Sequence, residues 1–276
     1  MKNMLASLVA VLAILLPGAT DAQQTKKQLI LAVSEGTSGA QDSGDVLNKY
    51  ADFVALLQRV LGRPVAVVLA RDFGMLEKQM KHRAYDFVLA RPSDYPARGV
   101  RDYGYSLVTI TRGDGHAVFI VRKDSPLKDL GDLRGKAILL PEKAAYMSRV
   151  AVATLRDNGI DVAKEPAVQY QRDQAVIGYA VENGLADVGA VASYSGVAKN
   201  WEKKGGRILF RGSNRPYQPL IASPNVPHQD VEKLRAALVG LDQNEEGRLL
   251  LRRLGFAGFT QGREEEMLDL LKWLGV

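Results

Sequence analysis

Polar and aromatic residues of this chain gather just after short apolar runs. Ser34-Glu35-Gly36-Thr37, Arg71-Asp72-Phe73 and Arg91-Pro92-Ser93-Asp94-Tyr95 each follow one. Further on come the stretch from Pro141 to Ser148, then Arg172-Asp173-Gln174 and Ser193-Tyr194-Ser195. Hydroxyls, amides, aromatic rings and arginines are the groups with which a cleft orients a small polar solute. From these clusters the candidate ligand contacts are Glu35, Thr37, Phe73, Arg91, Ser93, Tyr95, Tyr146, Ser148, Arg172, Gln174 and Tyr194. The fork of Arg91 or Arg172 suits a carboxylate or oxyanion. A helix opening near Tyr146 to Ser148 would add free backbone N–H groups and the positive end of its dipole. Each of these residues also fits a cap or a turn.

Other chemistries lack their signatures. Gly131 to Lys136, GDLRGK, comes nearest to a phosphate-binding loop. It has three residues between its glycines instead of four, and Lys136 runs into the strand-like AILL. His82, His116 and His228 are far apart, cysteine is absent, and no metal-binding pattern occurs, so neither a metal nor another cofactor is expected. No Gly-x-Ser-x-Gly elbow marks a nucleophile. The net charge of +6 comes from basic residues that occur at most in pairs, with acids among them and no aromatic platform. That pattern argues against a nucleic-acid partner and for a scattered basic surface or a cationic cleft.

The elements that must position the clusters alternate. Runs at 29–33, 65–69 and 86–90 read as strands, and a helix over 45–61 carries Val46, Tyr50, Phe53, Val54 and Leu57 at three- and four-residue steps. Tyr50 and Phe53 read as core. Strands follow at 105–110, 117–121, 137–140, 168–170, 188–191 and 208–210, with helices near 148–158, 175–183 and 197–203. After Asn214-Arg215-Pro216 one strand at 220–222 leads to helices near 231–241, 245–254 and 264–274. This βαβ alternation predicts α/β architecture, mainly parallel sheets covered on both faces. Crevices at the carboxyl ends of such strands are where open sheets bind ligands.

Met1 to Ala22 reads as a secretory signal: Lys2, an apolar core too short to span a bilayer, a Pro17-Gly18 break and a small-residue cleavage site ending at Ala22. The mature chain is then expected to be soluble and exported. Polar, Gly- and Pro-bearing stretches at 111–116 and 212–219 suggest two chain crossings between lobes. That places residues 23–112 and 217–276 in one lobe and 113–216 in the other.

In order, the chain carries Tyr50 to Gly62 with Pro64-Val65, then Arg71-Asp72-Phe73, then Tyr85-Asp86-Phe87 through Pro92-Ser93-Asp94-Tyr95. Val121 to Ser125, Asp132 to Lys136, and Asn183-Gly184 with Asp187 to Ala190 complete the series. This series resembles periplasmic substrate-binding proteins of the phosphonate-binding type, within the type 2 periplasmic binding protein fold. The resemblance implies two lobes joined by a two-crossing hinge and delivery of a small solute to an ABC transporter permease in the inner membrane. It also implies ligand contacts at Tyr95 and Phe73. Where the family has a Ser-Thr-Ser-Gly turn, this chain has Ala144-Ala145-Tyr146-Met147, and Gln174 stands for the family's histidine. The expected ligand is therefore a small anion whose identity the resemblance does not give. Two other functions remain open: a ligand-sensing partner of a membrane sensor protein, and a secreted hydrolase.

Overall fold

The structure is a computed structural model that describes residues 28–36, 43–113 and 115–276. Met1 to Ala22, the expected signal, and Thr37 lie outside the described residues.

Two sheets organise the chain. The first contains β1 (Leu29–Ser34), β2 (Val65–Leu69), β3 (Phe87–Ala90), β4 (Ser106–Thr111), β10 (Pro219–Ala222) and β11 (Phe259–Thr260), in the order β11-β4-β10-β3-β1-β2. The second contains β5 (Ala117–Val121), β6 (Ile138–Pro141), β7 (Val168–Gln171), β8 (Val188–Ala192) and β9 (Arg207–Arg211), in the order β7-β6-β8-β5-β9. Each sheet has a parallel half, β2-β1-β3 and β7-β6-β8. The remaining pairs are antiparallel, so the sheets are mixed rather than mainly parallel. The reason lies in the chain path. It leaves the first sheet after β4, enters the second at β5, and returns from β9 to β10, and both β5 and β10 run against the βαβ strands beside them.

Strands buried on both faces need no alternation of polar and apolar residues. The sequences FVLA of β3 and AVFIV of β5 are buried throughout. On one face of the first sheet, α1 (Ser43–Leu61), α7 (His228–Val239) and α8 (Glu245–Leu254) bury Tyr50, Phe53, Leu57, Leu234 and Leu254 against Leu31 and Leu89. On the other, α2 (Phe73–Lys81) and α3 (Asp94–Tyr103) bring Leu76, Met80 and Ala97 against Val88 and Ile221. The second sheet is covered by α4 (Tyr146–Asp157) on one face and by α5 (Gln174–Glu182) and α6 (Gly196–Asn200) on the other.

The helix α3 replaces what the sequence reads as an open strand end at Arg91 to Tyr95. Pro96 and Gly99 disguise it, since both are turn residues elsewhere. Here Pro96 sits in the first turn, where its missing N–H has no intrahelical acceptor to lose. Gly99 lets the helix press onto the sheet: a Cβ there would lie 2.8 Å from the Ile221 side chain.

The last helix, α9 (Glu264–Leu274), packs on two neighbours. Met267 and Leu271 enter the core beneath α3, whereas Leu270 enters the core of the second sheet, with Trp273 and Leu274 packed against it. Arg156 of α4 donates to the Trp273 carbonyl at 2.7 Å, and Arg101 of α3 to the Val276 carbonyl at 2.9 Å. Leu270→Ala should therefore cost about 3 kcal/mol in denaturant unfolding, because it leaves a cavity in the core of the second sheet. The exposed neighbour Leu268→Ala should change stability by less than about 0.5 kcal/mol. Equal effects of the two substitutions would contradict this placement of α9.

Candidate functional site

The parallel strands β1 and β3 end side by side, and the Arg91 backbone N–H donates to the Ser34 carbonyl at 2.8 Å. That register sets Glu35 beside Arg91. One carboxylate oxygen of Glu35 accepts from Arg91 Nη2. The other accepts from the Tyr50 hydroxyl and, at 2.8 Å, from Lys49 Nζ. Lys49 and Tyr50 are adjacent on α1, so the helix that covers the sheet also completes the charge balance. Gln218 Nε2 donates to the Tyr50 hydroxyl at 3.1 Å, and the Gln218 backbone N–H donates to Ser93 Oγ at 3.2 Å. Gln218 is fully buried and has φ 44°, a left-handed conformation that a non-glycine residue adopts at a cost. It lies on the return from β9 to β10.

Burial pushes the Glu35 carboxyl up, but the attraction of Arg91 and Lys49 and the hydrogen bonds from Lys49 and Tyr50 outweigh it. The group is held below its ordinary value of 4.5. Burial and the neighbouring Glu35 push the Tyr50 hydroxyl up, so it stays a donor. Burial raises Tyr194 and Tyr217 in the same sense.

Beyond Arg91 opens a cleft of about 980 Å³. Lys49 and Arg91 line it from the first sheet's side, Arg172, Gln174 and Tyr194 from the second's, and Tyr217 from the return passage. The Arg91 guanidinium stands 5.3 Å from the centre of the Tyr194 ring, and the rings of Tyr194 and Tyr217 are 5.0 Å apart. Gln174 Oε1 accepts from the Ala192 N–H at 2.8 Å, which fixes its amide against the end of β8.

Of the residues singled out in the sequence, Glu35, Arg91, Arg172, Gln174 and Tyr194 come together here, with Ser93 in the layer beneath. Others are placed elsewhere. Tyr95 and Phe73 do not line this cleft. Their rings pack 5.3 Å apart, and the guanidinium groups of Arg98 and Arg149 stand 5.1 and 5.6 Å from the centre of the Tyr95 ring. Ser148 is buried in the first turn of α4. Tyr146 is buried too, and its hydroxyl donates to the Pro216 carbonyl at 3.1 Å. Several neighbours of the candidates serve the bland role: Asp72, Asp173 and Ser195 cap helices α2, α5 and α6.

Sequence reasoning missed Lys49, Tyr217 and Gln218, and it assigned Tyr50 to packing alone. The available signals were slight: a lysine beside a core tyrosine, and a polar stretch at 212–219. It also missed a buried ion pair between the two units. The Asp94 carboxylate, fully buried at the start of α3, accepts from Arg149 of α4, with Arg98 at 3.8 Å. Burial raises the Asp94 carboxyl, and the attraction of Arg149 and Arg98 only partly opposes it. Among the described residues, no cluster of His, Cys, Asp and Glu could hold a metal ion. No helix among them is long and apolar enough to cross a membrane.

Two helix-covered mixed sheets, with a chain that passes between them twice and a basic, tyrosine-lined cleft where they meet, define the class of two-lobed solute-binding proteins. Within that class the chain belongs to the family described as ABC transporter, phosphonate, periplasmic substrate-binding protein, whose pattern matches residues 36–267. Proteins of this family are transport binding proteins, periplasmic in ABC importers. Solved structures share the fold. XAC2383 from Xanthomonas citri, solved bound to ATP, is similar with TM-score 0.70 and 19% identity over 90% of this chain and 97% of that one. PhnD1 from Prochlorococcus marinus in complex with methylphosphonate has TM-score 0.68 and 12% identity over 90% and 98%. A binding-protein component of an ABC phosphonate transporter from Pseudomonas aeruginosa has TM-score 0.65 and 15% identity over 90% and 85%. At such identities the likeness establishes the type 2 periplasmic binding protein fold and not the ligand. No curated protein matches the chain in sequence.

Two outcomes follow from the charges. A carboxyl held below its unfolded value contributes stability that is complete above that value and is lost as the pH falls through the lower folded one. Melting temperature should thus fall more steeply below about pH 4.5 in the wild type than in Glu35→Gln, the two curves converging in acid. Parallel curves would remove Glu35 from the buried network. Arg149→Met, which leaves the Asp94 carboxylate without its nearest partner, should cost about 3 kcal/mol in denaturant unfolding at pH 7. A loss under about 0.5 kcal/mol would show that this pair is not formed in solution.

Proposed function

We propose that this chain is exported, captures a small anionic solute between its two lobes, and delivers it to the permease of an ABC transporter without chemical turnover. The supporting observation is the charge of the cleft. Lys49, Arg91, Arg172, Lys199 and Lys204 line it, against Asp173 on the lining and Glu35 behind it, so the cleft keeps an excess of positive charge. Such an excess concentrates anions in a concave, partly desolvated space. In this reading, residues 23–112 and 217–276 form one lobe and 113–216 the other, the passages near 111–116 and 212–219 act as the hinge, and the protein works as a monomer after cleavage at Ala22. Family membership supports the transport role. The replacement of the hydroxyl-rich turn by Ala144 to Met147 separates this chain's ligand from a simple phosphonate.

Thermal-shift measurements on the mature protein against phosphonates, phosphate esters, sulfonates and carboxylates test the reading. A true ligand at a hundred times its Kd should stabilise the protein by about 2.7 kcal/mol. Its effect should weaken as salt rises, and small-angle scattering should show contraction on binding. If neutral solutes stabilise the protein and no anion does, the anionic assignment fails.

A further inference from the structure

The space at the start of α4, where the resemblance locates the anion-holding turn, is already filled. Gly36, Arg91, Pro92, Ala145, Tyr146 and Met147 enclose only about 20 Å³ there. That is room for about one ordered water. The Tyr146 ring that fills it is anchored through its hydroxyl to Pro216, and Met147 is 2% exposed. The room lies further out, in the 980 Å³ cleft.

Charge in that cleft is divided unevenly. At the inner end, Arg91 and Lys49 are both paired with Glu35. At the outer end, Arg172, Lys199 and Lys204 line the second unit's rim, all exposed, and none forms an ion pair with another described residue. The one acid among the lining residues, Asp173, is engaged in capping, its carboxylate accepting from the Ala175 N–H at 2.8 Å. Apolar and aromatic side chains line the same cleft: the tilted pair of Tyr194 and Tyr217, Leu254 at the end of α8, and Phe256 just after it.

We infer that the ligand is an organic phosphate monoester with a planar body. This deepens the anion-capture reading and rests on it. Its phosphate is held at the outer rim by Arg172, Lys199 and Lys204, and its body lies against Tyr194, Tyr217 and Phe256. Three cations against the single Asp173 carboxylate leave an excess of about two positive charges among the described lining residues, which calls for more than one negative charge. A phosphate monoester, with a second ionisation near pH 6, carries nearly two at neutral pH, whereas a carboxylate carries one. The neutralised inner end, with tyrosine hydroxyls kept protonated by burial, suits the uncharged part of such a molecule. Planar rings pack on the tyrosine pair in offset or edge contact.

Calorimetric titration of the mature protein with phenyl phosphate, methylphosphonate, inorganic phosphate and benzyl alcohol distinguishes the possibilities. Phenyl phosphate should bind at least about tenfold more tightly than methylphosphonate or inorganic phosphate, and benzyl alcohol should not bind measurably. Arg172→Glu and Lys199→Glu alter exposed side chains, so the melting temperature should hold while the affinity for phenyl phosphate drops about tenfold or more. Methylphosphonate binding as tightly as phenyl phosphate, with both variants unaffected, would overturn the outer site while leaving anion capture in place. A preference for phenyl phosphate that survives both charge reversals would also overturn it. If none of the three anions binds, the anion-capture reading falls together with this one.

Discussion

One buried carboxylate holds this structure's working end together. Glu35 takes hydrogen bonds from Arg91, just past the end of β3, and from Lys49 and Tyr50 on α1, and through Tyr50 it reaches Gln218 on the passage back to the first sheet. Without that anion, Arg91 and Lys49 would face each other across a desolvated space, where like charges repel far more strongly than in water. With it, three elements distant in sequence meet at one point, and the cleft acquires a rigid, charge-balanced floor. The excess positive charge then belongs to the opposite wall.

That division separates two tasks that one arginine might otherwise share. Arg91 is a structural cation whose partner travels with the fold, and Arg172, at the rim, forms no ion pair with another described residue. The strained backbone at Gln218 belongs to the structural task. Its left-handed φ turns the side chain toward Tyr50 while its N–H reaches Ser93, and tying the return passage to the end of β3 requires both bonds. The cost of the conformation is met by contacts that no exposed loop could supply.

Much of this was legible from residue order. All the described strands except β11 emerged within a residue or so because runs such as FVLA and AVFIV are buried on both faces, a pattern that sequence shows directly. The helix at 43–61 emerged because its apolar stripe is regular. What stayed hidden depends on sequence-distant partners. Nothing in the sequence tells that Lys49 will meet Glu35, that Asp94 will meet Arg149, or that Gln218 will turn inward. Pro96 and Gly99 hid α3, because local turn chemistry and close helix packing use the same residues. Tyr95 was legible as an aromatic after a strand and a proline, but its neighbours were not: the Arg98 and Arg149 guanidinium groups and the Phe73 ring lie within 5.6 Å of the centre of its ring.

The pair between Asp94 and Arg149 joins helices on opposite units, and its burial has an energetic consequence of its own. Asp94 gave up its hydration and Arg149 part of its own to meet, so much of their mutual attraction only offsets that loss. A movement that parted α3 from α4 would return both to water and recover the hydration. The contact therefore selects one arrangement of the two units, since a misplaced partner would leave a bare charge inside, while adding little resistance to their separation. In mechanical terms it acts as a locating pin rather than a lock.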